Sequence, residues 1–366
     1  MGSAAAWHLA RRGVRVLGLD SHAPPHSLGS SHGRTRIIRE AYFEHPLYVP
    51  LVQRAYELWA ELERTVRRPL MQLTGGLMIG ARDSGVFAGA VRSAREHALP
   101  HEELTAREVQ RRFPGLAPAE GMAGVLEPRA GLLFAEACVE ALQQQARAAG
   151  AVLEHDEPVT SWQVEHASVT VTTPRARYGA GHLVLCAGPW MARLAAPLAL
   201  PLQVARQLSH WFEPAEPTGA FDASRCPVTI WETAPGRMFY TLPDVGGRGL
   251  KAGIHHDGEV VDPDTVDREP RPEDEARMRA MLARFMPAAN GRLLEARVCL
   301  YTNTPDQHFL IDRHPEHPRA ILASPCSGHG FKFAPAIGEV LADLVMQGRS
   351  RFDLSPFGLG RLKPTG

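Results

Sequence analysis

The sequence predicts an α/β fold in which two α/β-patterned ends enclose an inserted, mainly antiparallel β domain. Three observations carry this reading. The chain opens on a short apolar helix, a glycine stop and a strand ending in aspartate, MGSAAAWHLARRGVRVLGLD. It closes on a strand, a glycine-bearing loop and a helix, AILASPCSGHGFKFAPAIGEVLADLVMQG. Between about residues 200 and 305 nearly every segment alternates as strands do: HWFEP, VTIWET, RMFYTLP, GLKAGIHH and ARVCLYTNT. A length of 366 residues suffices for two domains. We expect segments 1–78, 128–198 and 305–366 to form one discontinuous domain, and 79–127 with 199–304 to form the other.

Taken in order, residues 3–12 place Ala5, Ala6, Leu9 and Ala10 at helical spacing, and Gly13 supplies the stop. VRVLGLD follows as a buried strand ending at Asp20. A second helix starts near Pro50, with an apolar stripe of Tyr48, Leu51, Val52, Ala55, Leu58, Trp59 and Leu62. TGGLMIG at 74–80 is a turn feeding a short strand. A helix over 134–150 is closed by Gly150 and leads into AVLEH; SVTVTT and ARYGAGHLVLCAG are strand-like. One helix, PEDEARMRAMLARFMP, interrupts the β-rich insertion.

The opening stretch has the spacing of the second half of a dinucleotide-binding unit. In such a unit the glycines of a G-x-G-x-x-G turn let backbone N–H groups approach a pyrophosphate at a helix N-terminus. An acid at the end of the next strand binds ribose hydroxyls. Gly2 matches the last glycine, and Asp20 lies at the ribose position, which favours FAD or NAD over NADP. The same fragment also reads as a surface helix and strand that bind nothing. The first strand and the other glycines of such a unit have no counterpart here, so we expect the native start to lie upstream of Met1, which the mass of the native protein would test.

Forty basic and forty acidic residues balance, a composition that points to neither nucleic acid nor an anionic membrane as partner. Every long apolar stretch is broken by Pro, Gly or charge, and we expect no membrane span. Arg11 and Arg12 follow the first apolar run instead of preceding it, unlike a signal peptide. The five cysteines, Cys138, Cys186, Cys226, Cys299 and Cys326, show no CxxC or metal-ligand spacing. This predicts a reducing cytoplasm, no disulfide framework and no metal site.

Several stretches carry chemically suggestive residues. In GLKAGIHH a strand puts Lys251, Gly253 and His255 on one face and Leu250, Ala252 and Ile254 on the other, offering a cation, a gap and an imidazole to a flat ring. A solvated lysine on an edge strand is the plain alternative. In VCLYTNT, Cys299 and Tyr301 share a face, although an isolated strand cysteine is often a small core residue. SGHGFKF runs into a helix with Pro335 in its first turn, offering free N–H groups and a positive dipole end. In GSSHGRTRIIRE, Arg36 and Arg39 share a face if helical and oppose if extended. Tyr240, in RMFYTLP, reads equally as a pocket residue or a half-buried strand tyrosine.

Taken together, GSSHGRTRIIREAY (29–42), GLKAGIHHDG (249–258), VCLYTNTPDQHFLID (298–312) and SGHGFKFAPAIGE (327–339) closely resemble the monomeric sarcosine oxidase and N-methyltryptophan oxidase family of flavin amine oxidases. CAGPW (186–190) and LEPRAGLLF (126–134) fit the same pattern. The resemblance implies a Rossmann-like FAD-binding domain over an antiparallel substrate domain, acting as a cytoplasmic monomer. The implied reaction is oxidation of a secondary amino acid such as sarcosine, by hydride transfer to FAD, imine hydrolysis and reoxidation by O2 to H2O2. It implies Lys251 as the O2-activating lysine near flavin N5, Arg36 near the flavin ring, and Cys299 as the cysteine in an 8α-thioether to FAD, with Cys326 the competing candidate. Arg39 and Lys332 match the residues that hold the substrate carboxylate, while His255, Tyr240 and Tyr301 line the amine pocket. His32, Gly328, His329, Gly330 and Phe331 fall in flavin-contacting stretches. Position 34 is arginine where the family commonly has aspartate, a change expected to alter loop packing or substrate preference. Other outcomes are a related oxidase or dehydrogenase acting on N-methyltryptophan, pipecolate or a primary amino acid, or a truncated flavoprotein without activity.

Overall fold

In the computed structural model, which describes residues 1–165, 168–215 and 219–362, the largest sheet has eight strands. Their order across the sheet is Leu293–Asn303, Gln203–Phe212, Leu250–His255, Arg237–Leu242, Val228–Ala234, Gly76–Ala81, Met122–Glu127 and Glu102–Thr105. All its ladders are antiparallel except Val228–Ala234 on Gly76–Ala81, which is parallel. Leu250–His255 is an interior strand, so Lys251 does not lie on a sheet edge. One face of the sheet packs under the Pro272–Phe285 helix, around Phe212, Trp231, Phe239, Leu250, Ala252 and Phe285.

Two smaller ladders are parallel. Leu17–Leu19 pairs with Val152–Glu154, and Leu183–Leu185 pairs with Ala320–Ser324, which takes Leu310–Arg313 on its other side. They are separate sheets whose strands line a common cavity. The strand expected over 14–20 forms a ladder only from Leu17 to Leu19, because only Val152–Glu154 pairs with it. The helix Gly2–Ala10 packs against Ala334–Gln347 so closely that a Cβ at Gly338 would lie 2.5 Å from the Ala4 carbonyl carbon. The Val49–Val66 helix buries the whole predicted stripe from Tyr48 to Leu62.

Two helices not anticipated from the sequence, Gly85–Glu96 and Ala106–Arg112, lie between strands of the large sheet. The first is capped by Ser84, whose hydroxyl accepts from Phe87 N; the second by a reciprocal Thr105–Glu108 box. Another three-stranded sheet carries Thr35–Ile38 and Met71–Leu73 on either side of Gly131–Phe134. No helix among the described residues is long and apolar enough to cross a membrane.

Candidate active site

The site is a cavity of about 1420 Å³, larger than the ~300–1,000 Å³ usual for a single small ligand. Met1, Gly2, Ser3 and Asp20 line it, as do Arg36, Arg39, Tyr240, Lys251, His255, Cys299, Tyr301 and Lys332. Gly328, His329, Gly330 and Phe331 line it too, Gly328 against Tyr301 and His329 against Lys332. The structure therefore brings together every predicted site residue but one. His32 is buried behind the wall, with neither ring nitrogen hydrogen-bonded, and burial, with Arg36 adding to it, lowers its pKa to about 4.

The strand Leu250–His255 alternates as its sequence predicts. Lys251 and His255 face the cavity, while Leu250, Ala252 and Ile254 enter the apolar layer under the Pro272–Phe285 helix. Lys251 Nζ donates to the carbonyls of Gly33 (2.7 Å) and Thr35 (2.8 Å) and lies over the Trp211 ring. Burial, reinforced by Arg36, pulls its pKa well below the usual lysine range. Gly253 is required by crowding, since a Cβ there would sit 2.5 Å from the Tyr240 hydroxyl. Gly328 has φ +75° and admits the Tyr301 ring where a side chain would stand. Tyr301 in turn meets His255 through its hydroxyl, 3.1 Å from Nδ1. Burial holds His255 neutral, with its pKa well below the ordinary value, and raises both Tyr240 and Tyr301.

Residues Thr35–Ile38 are extended. Arg36 and Arg39 nevertheless both line the cavity; the strand stops at Ile38, ahead of Arg39, and the chain bends at Glu40 and Ala41. Arg36 donates to Thr35 O and Ser30 O, with Nη2 3.6 Å from Cys299 Sγ. Arg34 adopts φ +68° and stacks on Trp211 while pairing with Glu295. It shapes the outer side of this loop and does not line the cavity. Cys186 and Cys326 also line it, whereas Cys138 is buried in the Ala135–Ala148 helix.

Lys332 is buried, and its Nζ donates to His329 O (2.7 Å) and Tyr42 OH (3.3 Å). His329 Nε2 faces the Gln307 carbonyl at 3.0 Å, so that nitrogen carries the proton. Nδ1 then accepts from Tyr42 OH at 2.6 Å, and the Tyr42 oxygen is left to accept from Lys332. Burial pushes His329 down to about 3 and Lys332, with Arg39 nearby, down to about 7. Arg39 donates to both oxygens of Glu44 (2.6 Å each) and lies over Tyr42 and Phe43. Burial opposes both charges of that pair. Mutual attraction wins, leaving Arg39 raised and Glu44 lowered. Tyr42 and Glu44 were not singled out from sequence, although they follow Arg39 within the same run.

The donor set fits a flavin dinucleotide. The N-terminus of the Gly2–Ala10 helix opens on the cavity without a side-chain cap. Gly2 leaves room there, since a Cβ would stand 3.6 Å from that of Cys186. Among the described residues no group of His, Cys, Asp and Glu is arranged to hold a metal ion.

A fold of parallel nucleotide-binding ladders beside a large antiparallel sheet, with a cation-lined cavity between, defines a cofactor-dependent oxidoreductase of amino acids or amines. Residues 1–344 match the family model of the FAD dependent oxidoreductases, and the chain belongs to that family. It is 43% identical to the monomeric sarcosine oxidase of Streptomyces avermitilis, over 99% of this chain and 95% of that protein. It is 35% identical to the N-methyl-L-tryptophan oxidase of Salmonella arizonae, over 99% and 96%. Among solved structures it resembles the open form of NikD, an unusual amino acid oxidase essential for nikkomycin biosynthesis. The TM-score is 0.83 at 26% identity, covering 97% of this chain and 94% of that one.

Proposed function

We propose that the protein oxidises a small N-methyl amino acid of the sarcosine type, with O2 as acceptor and H2O2 as product. The observation that carries this reading is the meeting of Arg39 and Lys332 at Tyr42, in the same cavity that His255, Tyr240, Tyr301, Lys251 and Arg36 line. Bound FAD supplies the two-electron acceptor for the C–H bond beside the amine. Arg39 and Lys332 hold the carboxylate, a planar fork and a point charge that fix the amino acid in one orientation. His255, neutral and oriented by Tyr301, and Tyr240, 3.3 Å from Ser209 Oγ, line the amine side and favour its uncharged form. Gly2 and Asp20 serve the dinucleotide end; Gly328, His329, Gly330 and Phe331 line the flavin side, and His32 supports it from behind. Lys251 is poised for its ammonium form wherever negative charge develops beside it, because its carbonyl partners already accept its N–H groups.

Incubation of the purified flavoprotein with sarcosine, N-methyltryptophan, pipecolate and glycine, with peroxide as the readout, tests the reading. Turnover is expected to be fastest with an N-methyl amino acid; absence of peroxide with all four overturns it.

We assign Cys299 as the covalent attachment point of the cofactor, on the strength of its place beside Arg36 and its sequence surroundings. Acid precipitation of the wild type should leave yellow colour in the pellet, and Cys299→Ala should move it to the supernatant. A wild-type pellet without colour removes this assignment.

The pH dependence of carboxylate binding is a further expected result. A lysine at about 7 is charged below that pH and neutral above it, and only the charged form attracts a carboxylate. Affinity for propanoate, followed by the flavin absorbance, should fall as pH rises through about 7, approaching a tenfold loss per pH unit. Lys332→Met should weaken binding at low pH and flatten this limb.

A further inference from the structure

The segment that bears Arg36 and Arg39 is tied at both ends by carboxylates, Glu127 buried and Glu136 half-buried, that no catalytic role accounts for. At its start, Glu136 Oε1 accepts from Gly33 N (2.8 Å) and Arg34 N (3.0 Å). At its end, Glu127 accepts from Glu40 N (2.6 Å) and Ala41 N (2.8 Å), one N–H on each oxygen. Between the two ties run only the four-residue strand Thr35–Ile38, antiparallel to Gly131–Phe134, and Arg39 itself. Its register pairs Thr35 with Phe134 and Ile38 with Gly131. Glu136 lies just beyond one end of this ladder and Glu127 just before the other, so each carboxylate reaches a different end of the segment.

Each tie controls a different functional group. Gly33 and Arg34 have successive positive φ values of 92° and 68°, a conformation an arginine rarely holds without an external partner. The carbonyls of Gly33 and Thr35, on either side of Arg34, are the acceptors that hold Lys251. Thr35 O also receives Arg36. At the other end the peptides of Glu40 and Ala41 directly follow Arg39, and Glu127 is almost completely buried there. Without it two buried N–H groups would lack partners and the turn presenting Arg39 would lose its anchor.

We propose that Glu127 and Glu136 are positioning residues with divided control: Glu127 sets Arg39 for capture of the substrate carboxylate, and Glu136 sets the carbonyl pair that aims Lys251. The proposal rests on the amine-oxidase reading above.

The test uses the flavin-loaded full chain and the variants Glu127→Gln and Glu136→Gln. Glu127→Gln should weaken propanoate binding and raise KM by about tenfold or more, with reaction of the reduced enzyme with O2 within about twofold of wild type. Glu136→Gln should slow reaction with O2 by about tenfold or more, with propanoate affinity within about twofold. Backbone amide exchange should accelerate at 40–41 in the first variant and at 33–34 in the second. The shorter acids, Glu127→Asp and Glu136→Asp, keep the charge and should show the same divided pattern at smaller amplitude; they carry the test if a glutamine variant does not fold. Equal damage to both functions in both variants, or no effect on either, overturns the proposal. A wild type that neither turns over an amino acid nor binds propanoate refutes the amine-oxidase reading instead, and the exchange pattern then decides the ties by itself.

Discussion

Arg39→Met should raise KM for the amino acid by about 10²–10³-fold, with a much smaller fall in kcat. Truncating one partner of a buried, hydrogen-bonded charge pair costs about 2–5 kcal/mol, which corresponds to this range. Arg39 is almost wholly buried, forked onto Glu44 and stacked between two aromatic rings. On the proposed reading a substrate carboxylate would exchange with Glu44 for the same guanidinium, and its affinity would be a difference between two ion pairs. Glu44→Gln weakens the internal competitor and should lower KM several-fold. The double variant Arg39→Met/Glu44→Gln removes the orphaned carboxylate that the single variant leaves in a buried site. A double variant with wild-type KM would show that the single change acted through Glu44 alone and that Arg39 does not hold substrate. Steady-state kinetics, with thermal unfolding as a control, separates these cases.

Lys251→Met should slow reaction of the reduced enzyme with O2 by about 10²–10³-fold, the usual loss when one preorganised donor to developing negative charge is removed. Anaerobic reduction by substrate should change little, because Lys251 Nζ is held by the carbonyls of Gly33 and Thr35 and is not one of the two cations proposed to take the carboxylate. The burial that lowers its pKa also makes the lysine sensitive to negative charge in the cavity. Stopped-flow measurement of the two half-reactions tests this; an unchanged O2 rate removes Lys251 from the oxidative step.

What was legible in the sequence follows physical range. GLKAGIHH could be read because a strand's period of two assigns every side chain to a face, and the predicted split is the one observed. The stripe on the Val49–Val66 helix was legible for the same reason at a period of 3.6. The relation of Arg36 to Arg39 was not, because it depends on a four-residue strand ending between them. Glu127 and Glu136 were hidden more deeply. Their partners are backbone N–H groups 86 to 103 residues away, and no local pattern marks such a contact. The strand expected to be buried over 14–20 was overestimated in burial as well as length, since Leu17 is 41% exposed and the ladder reaches only as far as its partner strand Val152–Glu154. The Thr105–Glu108 cap was present in the sequence but precedes a helix only seven residues long, too short to establish a periodicity.

The close packing of Gly2–Ala10 on Ala334–Gln347 has a consequence for biosynthesis. The alanine-rich helix Gly2–Ala10 waits for a partner that begins only at Ala334, and the parallel ladders impose similar delays, Leu17 for Val152 and Leu183 for Ala320. At about 5–20 residues per second the first helix remains unpartnered for tens of seconds on the ribosome. The cavity draws its walls from residues as far apart as Met1 and Val345, so it is complete only once Val345 has been made. A nascent chain stalled before residue 334 should be held by chaperones and remain colourless.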